Sequence, residues 1–381
     1  MRRIVTEDGQ CAGYRVKLLD RISQKRLLAM AIVAGCLAIG AGWFSIASVE
    51  AGRLRPTSEP AELSQRAGLK LAVHTLYDTG DFAGLGRMAE DFRRTGERTS
   101  SGVWKLSVFY SALYELSDGL GRHDGKGWQQ LFGRLDTWRE AFPSQPAAYV
   151  AEGIALQAYA GVMRPRQIVR EASAGSDESF AIALRKARDW MDTNKAIASA
   201  DPQFYVVRAE IARAMGEEPD QFMALVNEGL DKSPGYYQLY FAGFDYFAVA
   251  GEGNGDAQAA RMEAFANSAV LRSKQSEGDA LYARLYWHAF TGFYGNDLFR
   301  KTRADWSKMR SGMKDVVAHY PDAWNVNHFA YLSCLAGDRD TTRQVIASMG
   351  EPPVLKVWQA RAVFEGCRKW ASAAPVVANR R

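Results

Sequence analysis

Five histidines, at positions 74, 123, 288, 319 and 328, are the side chains of this chain best suited to acid–base work at neutral pH. No two are four residues apart and no His-Glu-x-x-His occurs, which excludes the usual helical zinc pair. The chain also lacks a Gly-x-Ser-x-Gly nucleophile elbow and a Cys-x-x-Cys pair. Each histidine therefore reads as structural, and His328, in Trp324-Asn325-Val326-Asn327-His328, is expected to cap or pack the helix it opens. Two glycine-rich stretches imitate nucleotide loops without meeting their spacing. In Gly119–Gly127 (GLGRHDGKG) the position five before Gly125 is Leu120, and Gly127 follows Lys126 where a phosphate loop needs Ser or Thr; it reads as a flexible turn. Gly251-Glu252-Gly253-Asn254-Gly255 follows a predicted helix instead of a strand, so no dinucleotide fingerprint is present. No catalytic set, no metal site and no cofactor are expected.

The cysteines stand at 11, 36, 334 and 367. Cys334 and Cys367 each fall near the end of a predicted helix, 33 residues apart, close to one helical repeat. Equivalent positions on stacked helices could meet, and an oxidising compartment would let the two thiols pair. Two buried free thiols are the alternative. For binding, the helix predicted over 279–294 offers two faces: Tyr282, Leu285, Tyr286, Ala289 and Phe293 as core, and Arg284, Trp287 and Thr291 on another side. Trp and Arg are enriched at binding hot spots, so this second face is the candidate partner-binding groove; packing of Trp287 against a neighbouring helix pair is the competing reading.

The elements that must position these residues are helices. Asp201–Pro234 reads as two antiparallel helices joined by Gly216-Glu217-Glu218-Pro219. Phe204, Val207, Ile211 and Ala214 share one face of the first; Phe222, Leu225, Val226 and Leu230 share one face of the second. Asp201-Pro202 and Glu218-Pro219 open the two helices, with Pro at the first helical position where its missing N–H costs nothing. Further helices are expected over 69–77, 82–92, 103–115, 128–142, 147–162, 177–199, 236–249, 256–273, 279–294, 299–319, 323–336, 340–349 and 354–371, with Gly80-Asp81 and Gly337-Asp338 as turns. The segment 163–176, with Arg164, Arg166 and Arg170, reads as loop or short helix. One helix pair cannot bury its apolar face alone, so neighbours must stack on it.

Charge is unevenly placed. Residues 1–26 hold seven basic and three acidic side chains, net +4, whereas the other 355 residues hold 41 basic and 40 acidic. The body thus lacks the clustered positive charge that nucleic acid requires. Residues 27–47 (LLAMAIVAGCLAIGAGWFSIA) carry no charge and, as a helix, would span roughly 30 Å, the thickness of a bilayer's hydrocarbon. The charge bias puts residues 1–26 in the cytoplasm as a basic arm, 27–47 across the membrane, 48–62 as a linker, and 63–371 outside as a helical-repeat domain, with 372–381 a frayed tail. A signal peptide cut after Ala47 or Ala51 is the alternative and leaves the body on the same side.

The stretches DPQFYVVRAEIARAMG, GEEPDQFMALVNEGLDKSPGYY, YARLYW, YPDAWNVNHFAYLSCLAGD and VFEGCRKWA together resemble a family of uncharacterised bacterial proteins, grouped as a domain of unknown function, with a tetratricopeptide-like fold. The resemblance covers roughly residues 80–371 and implies stacked helix pairs in a curved superhelix; it carries no catalytic residues over. The resulting expectation is an all-α chain: stacked antiparallel helix pairs, a tetratricopeptide-like solenoid, behind one N-terminal transmembrane helix. The expected function is a bacterial inner-membrane, periplasm-facing scaffold that binds a protein or peptide partner and no nucleic acid. An enzyme or binding protein acting on envelope glycan or lipid, and a structural module of a larger envelope assembly, are the other readings.

Overall fold

Gly, Asp and Pro at fixed positions cut this chain into helices, and the cuts fall close to where turn chemistry places them. The computed structural model describes residues 60–164, 174–249, 255–350 and 352–373. The basic arm, the apolar run 27–47, most of the linker and residues 374–381 lie outside the described residues. Among the described residues there are eighteen α-helices and no strand, so the chain is all-α; an antiparallel bridge joins Arg98 and Trp104. None of these helices is long and apolar enough to cross a membrane. In chain order they are α1 (Ala61–Thr79), α2 (Phe82–Thr95), α3 (Lys105–Glu115), α4 (Gly125–Ala141), α5 (Pro146–Met163), α6 (Ala174–Thr193), α7 (Lys195–Ala198), α8 (Gln203–Met215) and α9 (Pro219–Lys232). There follow α10 (Tyr237–Val249), α11 (Gly255–Glu277), α12 (Ala280–Ala289), α13 (Leu298–Lys301), α14 (Trp306–His319), α15 (Ala323–Leu335), α16 (Arg339–Ser348), α17 (Leu355–Trp358) and α18 (Arg361–Ser372).

The same turn device recurs. Gly80 (φ +75°) and Gly337 (φ +74°) take the left-handed conformation that closes a helix, and the Asp that follows opens the next. Asp81 accepts from Gly84 N at 2.8 Å and Asp338 from Thr341 N at 3.0 Å. In the central pair Gly216 (φ +70°) closes α8 and Pro219 opens α9. Asp201 Oδ1 accepts from Gln203 N at 2.9 Å, holding the α8 N-terminus.

Phe204, Val207 and Ile211 of α8 and Phe222, Val226 and Leu230 of α9 are all buried. Gly229 lets the two helices close up, since a Cβ there would lie 2.6 Å from the Tyr205 ring and 2.5 Å from Leu239. The inner helices form a row, with α1 on α3, α3 on α5, α5 on α8, α8 on α10 and α10 on α12. Outer helices bridge them: α6 lies on α5 and α8, α9 on α8 and α10, α11 on α10 and α12, and α14 on α12 and α15. The row's two ends are joined. Glu62 N in α1 donates to Asp322 Oδ2 (3.2 Å), Ser100 Oγ donates to the same oxygen (2.7 Å), and Asn325 Nδ2 donates to Ser101 O (3.1 Å). All of these residues belong to one compact unit, Thr57–Arg381; the other unit, Met1–Pro56, lies outside the described residues.

Several boundaries differ from the sequence reading. The expected single helix 299–319 breaks after Lys301, where Thr302 turns extended (φ −127°, ψ 174°) and Asp305 starts a new helix by accepting from Ser307 N at 2.7 Å. The expected 354–371 helix is two pieces, divided at Gln359 (φ +62°). Residues Phe290–Tyr294 form a π-helical turn at the end of α12, which rotates Phe293 outward; it is 44% exposed and is not core. Gly125–Gly127 is not a free turn but the first turn of α4, capped by Asp124, which accepts from Gly127 N at 2.9 Å. The body's first helix starts at Ala61, inside the expected linker.

Candidate functional site

Four inner helices carry polar residues at helical spacing on the face they turn toward one another. On α3 these are Ser107, Ser111 and Tyr114, with Tyr110 in the same stripe. On α8 they are Gln203, Glu210 and Arg213 around Val206 and Val207, on α10 Gln238 and Asp245 around Phe241 and Ala242, and on α5 Gln157 beside Ile154. Positions i, i+3, i+4 and i+7 share a helix face, so each stripe follows from local geometry. With His288 of α12 they line a cavity of about 440 Å³, open to solvent on the side of Ser111 and Tyr114 and within the size range of small-ligand sites.

The groups inside it interact. Gln157 Nε2 donates to Glu210 Oε2 at 2.6 Å, and His288 Nε2 lies 2.7 Å from Asp245 Oδ1. The His288 ring stacks on Phe241 at 4.8 Å, which fixes its plane. Gln238 Nε2 donates to Ser107 Oγ (2.9 Å), Tyr236 OH to Gln203 Oε1 (2.6 Å) and Tyr110 OH to Asp201 Oδ2 (2.7 Å). Burial pushes the Glu210 carboxyl above the ordinary carboxylate range, Asp245 adds to this, and Gln157, Arg213 and His288 oppose it. Glu210 is half-buried, with its carboxyl at the surface of the cavity. Two side-chain atoms in the lining are buried without a hydrogen-bond partner: the Arg213 Nε donor and the Gln238 Oε1 acceptor. Ser107 Oγ donates to Trp104 O at 2.8 Å, so among the described residues no serine is hydrogen-bonded to His288 in the arrangement nucleophilic catalysis needs.

The residues singled out in the sequence lie elsewhere. Arg284 is 6% exposed, donates through Nη2 to Ser101 O (3.2 Å), and packs its guanidinium on Tyr237 (5.1 Å) and Tyr320 (5.5 Å). It holds the junction between the row's two ends. Trp287 is half-buried with its ring 4.1 Å from that of His328, and Thr291 is exposed, with its hydroxyl on Trp287 O and His288 O. None of the three lines the cavity, although His288, their neighbour, does. Cys334 and Cys367 form a disulfide, Cα to Cα 5.9 Å, that ties α15 to α18. Among the described residues no group of three His, Cys, Asp or Glu side chains could hold a metal ion.

The inward stripes were missed because polar residues at helical spacing ordinarily mark a solvent face. The available signal was that α8 and α10 carry apolar residues on both flanks of the stripe. No family model, no curated protein and no solved structure matches the chain, so its function is argued from its own residues.

Proposed function

We propose that the helical body is a binding module that receives a short peptide segment of a partner protein in the central cavity. The observation that carries this is the pair of buried, unpartnered polar atoms in one lining, a donor on Arg213 and an acceptor on Gln238. A backbone amide offers one acceptor and one donor, and satisfying both would remove the cost of leaving them bare. The remaining lining is rich in amides and hydroxyls (Ser107, Ser111, Gln157, Gln203) beside the aromatic Phe241 and Tyr114, a surface suited to main chain and small side chains. In this reading the helix pairs are a tetratricopeptide-like solenoid, and residues 27–47 hold it on the periplasmic side of a bacterial inner membrane. The Cys334–Cys367 disulfide supports an oxidising compartment.

The test is titration of the full chain with pools of capped tetrapeptides, followed by isothermal calorimetry on the best binder. Arg213→Leu and Gln238→Leu should each weaken binding about tenfold or more, the cost of a buried polar group left unmatched. Absence of peptide binding from all pools would refute the reading. A second reading rests on a different observation: a carboxyl raised by burial, Glu210, shares the cavity with the carboxylate Asp245. That is the pairing glycoside hydrolysis uses. Release of reducing ends from envelope glycan, abolished in Glu210→Gln, would establish it in place of peptide binding.

A further inference from the structure

A second cavity, of about 730 Å³, opens between α4, α5 and α6, away from the central one. Its apolar wall is Leu156, Ile182 and the indole of Trp190, and Ile182 is 52% exposed. Its charged lining is Arg139, Arg185 and Lys186 against Glu152 and Asp189. Asp189 is already engaged by Arg188 at 2.7 Å, so positive charge is in excess. Glu152 is 8% exposed and its Oε2 pairs with Arg139 Nε at 3.4 Å, a long ion pair in which neither atom makes a well-formed hydrogen bond. Arg139 is oriented by Asp136 (2.6 Å) and lies over Trp190 at 5.6 Å. A guanidinium edge and a buried carboxyl oxygen thus meet at ion-pair distance without a well-formed hydrogen bond, beside the exposed side chain of Ile182.

We propose that this cavity binds a free carboxylate with an aromatic or branched apolar body, taken up together with one proton. The apolar body lies on Trp190, Leu156 and Ile182. The ligand carboxylate takes the place of the Glu152 charge at Arg139, and Glu152, protonated from solvent, donates its O–H to the ligand. No covalent bond changes; the one proton gained keeps the buried charge constant. The groups facing Glu152 are Asp136 and Arg139 of α4 and Lys186 of α6, with Arg185 and Asp189 at the rim. Burial, with Asp136, raises the Glu152 carboxyl to about 7 against the pull of Arg139 and Lys186, so the proton is taken up readily near neutral pH. A phosphate dianion would bring a second negative charge beside this carboxyl and is disfavoured. The inference does not depend on the peptide reading of the central cavity.

The experiment is isothermal titration of the full chain with 2-naphthoate between pH 6 and 9, in buffers of different ionisation enthalpy. The expected result is affinity that is level below pH 7 and falls about tenfold per unit above it, with close to one proton taken up per ligand at pH 8. Glu152→Gln should bind with no pH dependence, and the rim variant Arg185→Ala/Lys186→Ala should weaken binding several-fold at every pH with the slope unchanged. If Glu152→Gln does not fold, the buffer series on the unaltered chain still measures the proton. Absence of binding at every pH, equal affinity for neutral 2-naphthamide, tighter binding of 2-naphthyl phosphate, or no proton uptake would each overturn the proposal.

Discussion

Lowering the pH should loosen the junction between the two ends of the helical row, and the residue responsible is His328. It is 5% exposed, its ring lies 4.1 Å from that of Trp287 and 4.7 Å from that of Trp324, and Nδ1 is 2.8 Å from Trp324 O. A carbonyl only accepts, so Nδ1 carries the hydrogen. Burial between two indoles, helped by the nearby Arg66 charge and opposed by the Trp324 carbonyl, holds the imidazole pKa down at about 3 against an ordinary 6.5. The folded value lies below the unfolded one, so the stabilisation is complete above pH 6.5 and is lost as the pH falls toward 3. Each pH unit inside that window is worth about 1.4 kcal/mol. From pH 7.5 to 4.5 the chain should lose roughly 2.7 kcal/mol through this one residue, and any folded value below about 4 gives nearly the same loss. Other groups titrate over the range, so the quantity to measure is a difference. In His328→Phe the ring stays between the indoles and the titration is removed. Urea unfolding at pH 7.5, 6.5, 5.5 and 4.5 should show the variant gaining on the unaltered protein by about that amount at the acid end. Parallel stability curves for the two, or an imidazole resonance of His328 titrating near pH 6 in the folded chain, would refute the reasoning.

Three further outcomes follow from other parts of the fold. Replacing Cys334 and Cys367 by Ser opens a closure with a sequence separation of 33 and should cost about 4 kcal/mol in the chain-entropy account, seen as a lower thermal midpoint that reductant no longer affects. Gly229→Ala should destabilise by about 1–2 kcal/mol in urea unfolding, because its methyl would meet the base of the Tyr205 ring, which outweighs the helix-propensity gain. Asp201, fully buried and raised to about 6 by burial against its bonds from Tyr110 and Gln203, works in the opposite sense to His328. Its contribution is complete below pH 3.8 and lost as the pH rises through 6, so Asp201→Asn should gain up to about 3 kcal/mol on the unaltered protein between pH 3.8 and pH 7.5.

How far the sequence could be read depends on the range of the interaction that decides each feature. Gly80-Asp81, Gly337-Asp338 and Gly216 through Pro219 act within a few residues, and their turns fall where turn chemistry puts them. The break at Thr302 needed Asp305 to be recognised as a cap inside a run that is otherwise helical in pattern. Arg284 was assigned to a groove because a charged residue on a helix face ordinarily meets water. It is buried because Ser101 O, Tyr237 and Tyr320 surround it, and Ser101 lies 183 residues away in the chain. The central cavity is the same problem repeated, since its lining comes from five helices and only the closing of the row turns their polar stripes inward. A single helix cannot reveal whether its polar stripe faces bulk water or a lumen. Burial on both flanks can: Tyr205, Val206, Val207, Ala209, Ile211 and Ala212 of α8 are all buried around Glu210. With most of that helix buried, Glu210 keeps only partial access to water, through the mouth of the cavity it lines. Burial is the largest influence on it, which is why Glu210 is raised while the exposed carboxylate of Asp297, bound by Arg300 and Lys301, is lowered.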